Sequence, residues 1–428
     1  MSWPAATGAR RVTAPNRYEG LVMEPSTSPI RLRLAVLLLV LGTGAAGGCS
    51  DAASESRGDD LSGVPVHELR EQFRLGGMER PEQETFQREP QLAVDGQQFL
   101  YVLHQDMGQV AVFDPDGVFV RWIRGGRGEG PGEFTSAVRL GLIGDTLWIR
   151  NLTPPRISRF LTNGAHVGTE QVRVDVDYQT SMGVQGVTGY LRDGRAWTVP
   201  DGFVVPVSGG EATAPFMIGS RSMAERSTLF SWRAGRGRLA GTQFEPIAEP
   251  PFFDVAPDGS AILLADWADT EPGALAVRWL QPDGEELRSW RFATPPAQVP
   301  QSVRDSLVQA GRNQVAEIRE RVIAQGIPEH EAPAVPSAGD VLQAAYLPGY
   351  YPPVSAVRAG IDGTTWLLRS HGPMAGHWIV LDPDGSPQFA VALPEGARLR
   401  TASREAVWAT ASDELGVPYV IRWSITAP

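Results

Sequence analysis

Residues 113–117 read Phe113-Asp114-Pro115-Asp116-Gly117, and the same turn returns as Phe160-Leu161-Thr162-Asn163-Gly164, Leu280-Gln281-Pro282-Asp283-Gly284 and Leu381-Asp382-Pro383-Asp384-Gly385. Proline presets φ for a turn, Asp or Asn bonds its own backbone, and glycine accepts a positive φ, so each copy closes an apolar strand into a hairpin. A second punctuation precedes it, a turn followed by an inward aromatic: Asp193-Gly194-x-x-Trp197, Asp362-Gly363-x-x-Trp366 and the degenerate Arg404-Glu405-x-x-Trp408. Looser versions are Gly144-Asp145 leading to Trp148 and Asp95-Gly96 leading to Tyr101. Tyr101 to Gly117 and Trp148 to Gly164 are both 16 residues, and Gly117 to Gly164 is 47. That period matches a four-stranded propeller blade of roughly 40 to 50 residues.

The composition agrees. In 428 residues there are 47 Gly and 35 Pro, a turn-rich proportion, with 42% hydrophobic and 20% charged residues, enough apolar material for a core and too little charge for disorder. All 38 basic residues are Arg, so mechanisms that need a lysine are excluded: Schiff bases, Walker-type phosphate lysines and Ser-x-x-Lys dyads. The net charge of -11 argues against nucleic acid as a partner, because that binding depends on basic residues neutralising phosphates and so releasing their condensed counterions.

Between units lies Trp122-Ile123-Arg124-Gly125-Gly126-Arg127-Gly128-Glu129-Gly130-Pro131-Gly132-Glu133-Phe134, followed by the strands Ser136 to Leu142, Leu147 to Arg150 and Arg156 to Phe160. This order, a Gly-rich crossover ending in Gly-x-Phe, a strand, an aromatic strand and Arg156-Ile157-Ser158-Arg159-Phe160, resembles the NHL repeat and related six-bladed β-propeller lipoproteins of bacteria. Thr153-Pro154-Pro155 stands where that family usually has Asp and Asn. The resemblance is specific over 90–175 and weakest over 178–248. It implies an all-β, six-bladed β-propeller over residues 64–428, with blades at 90–134, 135–176, 177–249, 250–297, 350–396 and 397–428. The last blade shows three strands, so Val64 to Leu75 is expected to supply the fourth and close the ring. The span 298–349 reads as an insertion. Within it, Val303, Leu307, Val315, Ile318 and Val322 fall mostly three or four apart, with Gly326 and Pro328 beyond, which predicts an amphipathic helix over 302–325.

The N-terminal region carries an address. Arg31-Leu32-Arg33, the apolar run Leu34 to Leu41 and the small residues Gly42 to Gly48 have the order of a secretory signal, and the run is shorter than the roughly 20 residues of a membrane-spanning helix. The signal is assigned to residues 1–48, with Met23 as an alternative start. Ala46-Gly47-Gly48-Cys49 resembles the lipobox of bacterial lipoproteins, with Ala46 where Leu is usual. The resemblance implies lipid attachment at Cys49, the only cysteine. Ordinary signal-peptidase cleavage leaving a free thiol is the alternative. Residues 49–63 read as a flexible tether, and Ser50 after the cysteine favours the outer membrane or periplasmic side by the lipoprotein sorting rule.

Sites for chemistry are sparse. The Gly-rich run has Pro131 where a dinucleotide fingerprint needs its third glycine, so it reads as an inter-blade crossover. The six histidines show no zinc spacing; His371, His377 and Asp382 are the one set that a single loop can bring together. No metal, cofactor or catalytic residue is assigned. Strand alternation points Arg139, Gln185, Asp254 and Arg358 at the axis, and Trp267 with Tyr346, Tyr350 and Tyr351 are placed at the channel mouth, together forming a candidate ligand site. The expected function is a binding module for an envelope protein, peptide or glycan, tethered only by its lipid. The alternative is a metal-dependent hydrolase or lyase working in the channel.

Overall fold

The turn signature and the aromatic turn build the same unit repeatedly. In blade 1 the Asp95 carboxylate accepts the backbone N–H of Gln97 and Phe99, both at 2.9 Å, and the Tyr101 hydroxyl at 3.0 Å. Asp114 does likewise for Asp116 and Val118 at 3.0 and 2.8 Å, and Gly117 turns at φ +80°. The strands these turns join, Gln91–Val94, Leu100–His104, Gln109–Phe113 and Phe119–Arg124, pair in order as one antiparallel sheet. The computed structural model describes residues 59–428 apart from 78–80, 173–177, 181–185, 201–203, 207–212, 234–237, 240–241, 244–246 and 248. The assigned signal, Cys49 and Gln185 therefore lie outside the described residues.

Six such four-stranded sheets form the ring. Blade 2 runs Ala137–Ile143, Thr146–Asn151, Arg156–Leu161 and His166–Gln171. Blade 3 is Gly189–Tyr190, Ala196–Thr198, Thr213–Gly219 and Arg226–Arg233, with a side ribbon of Tyr178–Thr180 and Val204–Pro206. Blade 4 is Phe252–Val255, Ile262–Asp266, Ala274–Leu280 and Glu286–Ala293, and blade 5 is Val354–Ala359, Thr365–Arg369, His377–Leu381 and Pro387–Ala392. Core clusters sit in the seams between blades: Tyr101, Phe134 and Phe160 between blades 1 and 2, Trp366, Trp378 and Trp423 between blades 5 and 6.

Blade 6 joins both chain ends. Arg398–Ala402, Ala406–Ser412 and Pro418–Thr426 are completed by Glu68–Gly76, which pairs antiparallel with the last strand from Glu68 opposite Thr426 to Gly76 opposite Tyr419. Leu75, 3% exposed, packs with Trp408 and Val420 of blade 6 and with Leu100 and Phe113 of blade 1. One strand thus completes a sheet and fastens its neighbour.

Residues 59–63, read from composition as part of the tether, belong to the fold. Asp60 exchanges two hydrogen bonds with the backbone of Ala293, at 3.0 and 2.7 Å. Leu61 is fully buried among residues of blades 4 and 5, and Asp59 pairs at 2.8 Å with Arg369, itself 1% exposed. The segment then bridges in parallel to Ala390 on the outer strand of blade 5, and His67 stacks on Phe389 at 4.4 Å. A lone leucine in a polar run carries no periodicity, which is why composition misassigns it.

The insertion holds two helices where one was expected: α1, Gln301–Ala324, and α2, Ala338–Ala344. The second opens with a capping box in which Ser337 accepts from the Asp340 N–H and Asp340 accepts from the Ser337 N–H. Val315, Val341 and Ala345 form a small core of their own. Of the expected apolar stripe on α1 only Val315 is buried; Val303, Leu307, Ile318 and Val322 are half-buried. The stem is pinned by the Asp269 carboxylate, which accepts the N–H of Gly349 and Tyr350 at 3.0 and 2.9 Å.

Deleting residues 64–76 is expected to abolish the cooperative thermal transition; an unchanged melting temperature contradicts ring closure by this strand. Asp59→Ala leaves the buried Arg369 cation uncompensated, and chemical denaturation is expected to read a loss of about 3 kcal/mol.

Candidate functional site

The innermost strand of each blade borders the axis, and in blades 2, 4, 5 and 6 that strand carries an Arg or Asp. Arg139 lies on the innermost strand of blade 2, just past a register shift, with its guanidinium 5.8 Å from the ring centre of Trp197 on blade 3. Asp254 lies on that of blade 4. Its carboxylate accepts the Val255 N–H at 3.1 Å and, across the seam, the Ala359 N–H of blade 5 at 3.0 Å. Arg358 precedes Ala359 and donates to the Val357 carbonyl at 2.9 Å.

These three converge electrostatically. Burial pushes the Asp254 carboxyl above its ordinary value, although Arg358, the two backbone N–H groups and Arg139 all favour the charged form. Withdrawal from water outweighs two guanidinium groups, so Asp254 holds its proton more tightly than an exposed aspartate.

A fourth element escaped sequence reasoning. On the innermost strand of blade 6, Arg400 is the extra residue at a register shift; it donates to the Thr410 hydroxyl at 2.8 Å and pairs with Glu89. Glu89, from the loop leading into blade 1, also receives Arg398 at 3.0 Å and the Thr410 hydroxyl at 2.7 Å. Burial opposes its charge, but the hydroxyl and the two guanidinium groups hold its pKa below the ordinary carboxylate value. The Arg398-Leu399-Arg400 alternation was the available signal; its partner lies 309 residues away in sequence.

The aromatic set is placed differently. Trp267 is 5% exposed and donates its indole N–H to the Pro272 carbonyl at 3.3 Å. Tyr346 and Tyr350 pack with it on the core of blades 4 and 5, at the foot of the insertion. Tyr351 lies apart, its ring 6.3 Å from that of His371, and burial raises its pKa. The structure thus joins Arg139, Asp254 and Arg358, and separately joins Trp267, Tyr346 and Tyr350.

The Gly-rich crossover is filled by its own chain. Glu133 accepts the Gly130 N–H at 2.8 Å, and Arg156 donates to the carbonyls of Gly128 and Glu133 at 2.8 and 2.7 Å. A carboxylate already sits where a phosphate would. His377 turns to the Ala375 carbonyl while Asp382 pairs with Arg404, so those two do not meet across the loop. Among the described residues no group of three or more His, Cys, Asp or Glu is placed to hold a metal, and no helix is long and apolar enough to cross a membrane.

No family model and no curated protein matches this chain. Among solved structures it is similar to a member of the DUF4221 family from Bacteroides vulgatus, at 10% identity and TM-score 0.44, over 86% of this chain and 100% of that one. A protein of Bacteroides fragilis is similar at 10% identity and TM-score 0.41, over 85% and 96%. Regucalcin, a calcium-binding protein of Agrobacterium tumefaciens, is similar at 10% identity and TM-score 0.35, over 83% and 96%. The six-bladed assignment rests on the strand pairing itself.

A ¹³C carboxyl titration of Asp254 is expected to give a midpoint above that of an ordinary aspartate, and Arg358→Leu is expected to move it higher. A carboxyl with a raised folded pKa contributes stability that is full below its unfolded pKa and is lost as pH rises through the folded value. A midpoint at or below the ordinary value contradicts this picture.

Proposed function

We propose that this chain is an exported, lipid-anchored propeller of the NHL-like lipoprotein kind, acting as a non-catalytic binding module for an acidic envelope ligand. The axial belt carries the reading. Arg139, Arg358 and Arg400 face Asp254 and Glu89, and the raised pKa of Asp254 reduces the negative charge opposing the guanidinium groups. In a chain of net charge -11 this is a local positive site, and a site that concentrates one sign of charge between low-dielectric walls attracts the opposite sign. An acidic peptide, an acidic glycan or an acidic patch of an envelope protein fits that chemistry.

The anchor reading rests on residues 31–49. Lipidation at Cys49 leaves a mature chain of 380 residues with net charge -14, and several acyl chains on one residue suffice for stable attachment. Bulk repulsion then keeps acidic partners from the surface at large and leaves the belt as the place they bind.

The test uses the detergent-solubilised full chain with poly-glutamate and alginate as probes. Binding that weakens with salt, and that falls at least about tenfold in Arg358→Leu, is expected. Absence of binding by either probe, or equal binding by the variant, overturns the reading. In parallel, labelled palmitate is expected to enter the wild type and not Cys49→Ser.

A further inference from the structure

Each blade is an antiparallel meander, so the connection into its first strand, the loop from second to third and the connection out of the fourth lie at one end of the ring. The turns from first to second and from third to fourth lie at the other end. The chain enters the ring at the first of these ends. Asp59 pairs at 2.8 Å with Arg369, the last residue of the second strand of blade 5, and Asp60 bonds to Ala293, the last residue of the fourth strand of blade 4. With Leu61 fully buried directly behind them, the point where the tether becomes fold is fixed.

The insertion rises from the same place. The Val299 N–H donates to the Gly349 carbonyl at 2.8 Å, closing the stem shortly after Ala293. Beyond it the insertion folds on itself: Arg304 and Arg312 of α1 donate to the carbonyls of Pro348 and Pro336 at 2.6 and 3.1 Å, and Val341 of α2 is buried while Leu342 stays exposed. Leu415 tips the loop from second to third strand of blade 6, at this same end, and at 79% it is the most exposed large apolar side chain among the described residues. The Asp413 carboxylate accepts the N–H of Leu415 and Val417 at 2.9 and 2.8 Å, so the loop that presents Leu415 is held in shape. Nine residues, Ser50 to Gly58, separate Cys49 from Asp59. As a flexible coil that length reaches about 18 Å on average, and fully extended about 35 Å. A strand of five or six residues spans about 17 to 20 Å, so the average reach is about one blade depth. Turning the opposite end of the ring toward the lipid uses most of the extended length.

We propose that the end of the ring bearing the insertion is a membrane-docking surface, held by the short tether against the bilayer that takes the Cys49 lipid, with Leu342 and Leu415 meeting the lipid. This rests on the lipid-anchor reading and is independent of the axial ligand. The opposite end, built on the Asp-Gly turns, then faces away from the membrane.

The test is site-specific fluorescence on the lipidated full chain, in vesicles of phosphatidylcholine and phosphatidylethanolamine that carry a doxyl-labelled lipid. Acylation of Cys49 leaves no free thiol, so Leu415→Cys, Leu342→Cys and Val118→Cys each offer a single site for the probe. Val118, 61% exposed, follows a hairpin turn at the opposite end and controls for apolar exposure alone. Quenching is expected to be at least about twofold stronger at Leu415→Cys and Leu342→Cys than at Val118→Cys, and a long Gly-Ser linker inserted after Ser54 is expected to remove at least about half of that difference. Equal quenching at the two ends, or a difference untouched by the longer tether, overturns the proposal. Mass spectrometry of the same preparation reads the lipid. An unacylated chain defeats the anchor reading and this proposal with it, whereas an acylated chain with equal quenching overturns the docking surface alone. A Leu415→Cys probe shielded from iodide in cells but open to it in vesicles puts a protein on this end and overturns the bilayer as its occupant.

Discussion

The antiparallel pairing of Glu68–Gly76 with Pro418–Thr426 is the contact on which the ring depends. A propeller whose last sheet lacks its outer strand presents an unpaired edge and leaves the first and last blades joined only by side-chain packing. Here the closing strand is the first strand of the domain and its partner is the last, so no subset of the chain contains a finished blade 6. The contact that completes the fold is also the longest in sequence, and it bears the highest loop-closure entropy. Asp59, Asp60 and Leu61 extend that fastening beyond blade 6 into the seam of blades 4 and 5. The strap therefore contacts four blades, 6 and 1 through the closing strand and 4 and 5 through Asp59 to Leu61.

Rigid closure explains how charge can sit near the axis. Asp254 accepts a backbone N–H from the neighbouring blade, so its carboxylate is a crosslink as well as a charge. Arg288 plays a comparable part on the flank, donating to the Gly363 and Pro383 carbonyls of blade 5 while its guanidinium stacks 4.4 Å from the ring centre of Trp279. With arginine as its only long cation, the chain uses the rigid planar fork to bond two carbonyls at once or to stack flat on indole, geometry that a lysine ammonium does not fix.

The legible part of the fold was local. The Asp-Gly turns and their aromatic followers report backbone geometry within five residues, so blade number could be read directly; the closing strand followed from the missing fourth strand of the last blade, and helix α1 from its apolar spacing and the Gly326 and Pro328 stop. Arg139, Asp254 and Arg358 followed from alternation once the innermost strands were placed. What could not be read was long-range or unpatterned. Leu61 is one apolar residue in a polar run. Glu89 meets Arg398 from the far end of the chain. The short α2 announces itself only through Ser337 and Asp340, with Gly339 between them weakening any helical signal. The aromatics Trp267, Tyr346 and Tyr350 suggest a binding surface by residue type, yet burial in the core of blades 4 and 5 decides their main role.

Closure by the strap makes the domain one cooperative unit, and native-state hydrogen exchange tests that most directly. The account expects the slowest amides of the closing strand, such as Leu75 opposite Val420, to exchange with the same free energy as the slowest amides of Leu100–His104 and Thr365–Arg369, and with the same denaturant dependence. A closing strand that exchanges through a separate opening of markedly lower free energy, while the blades stay protected, contradicts it.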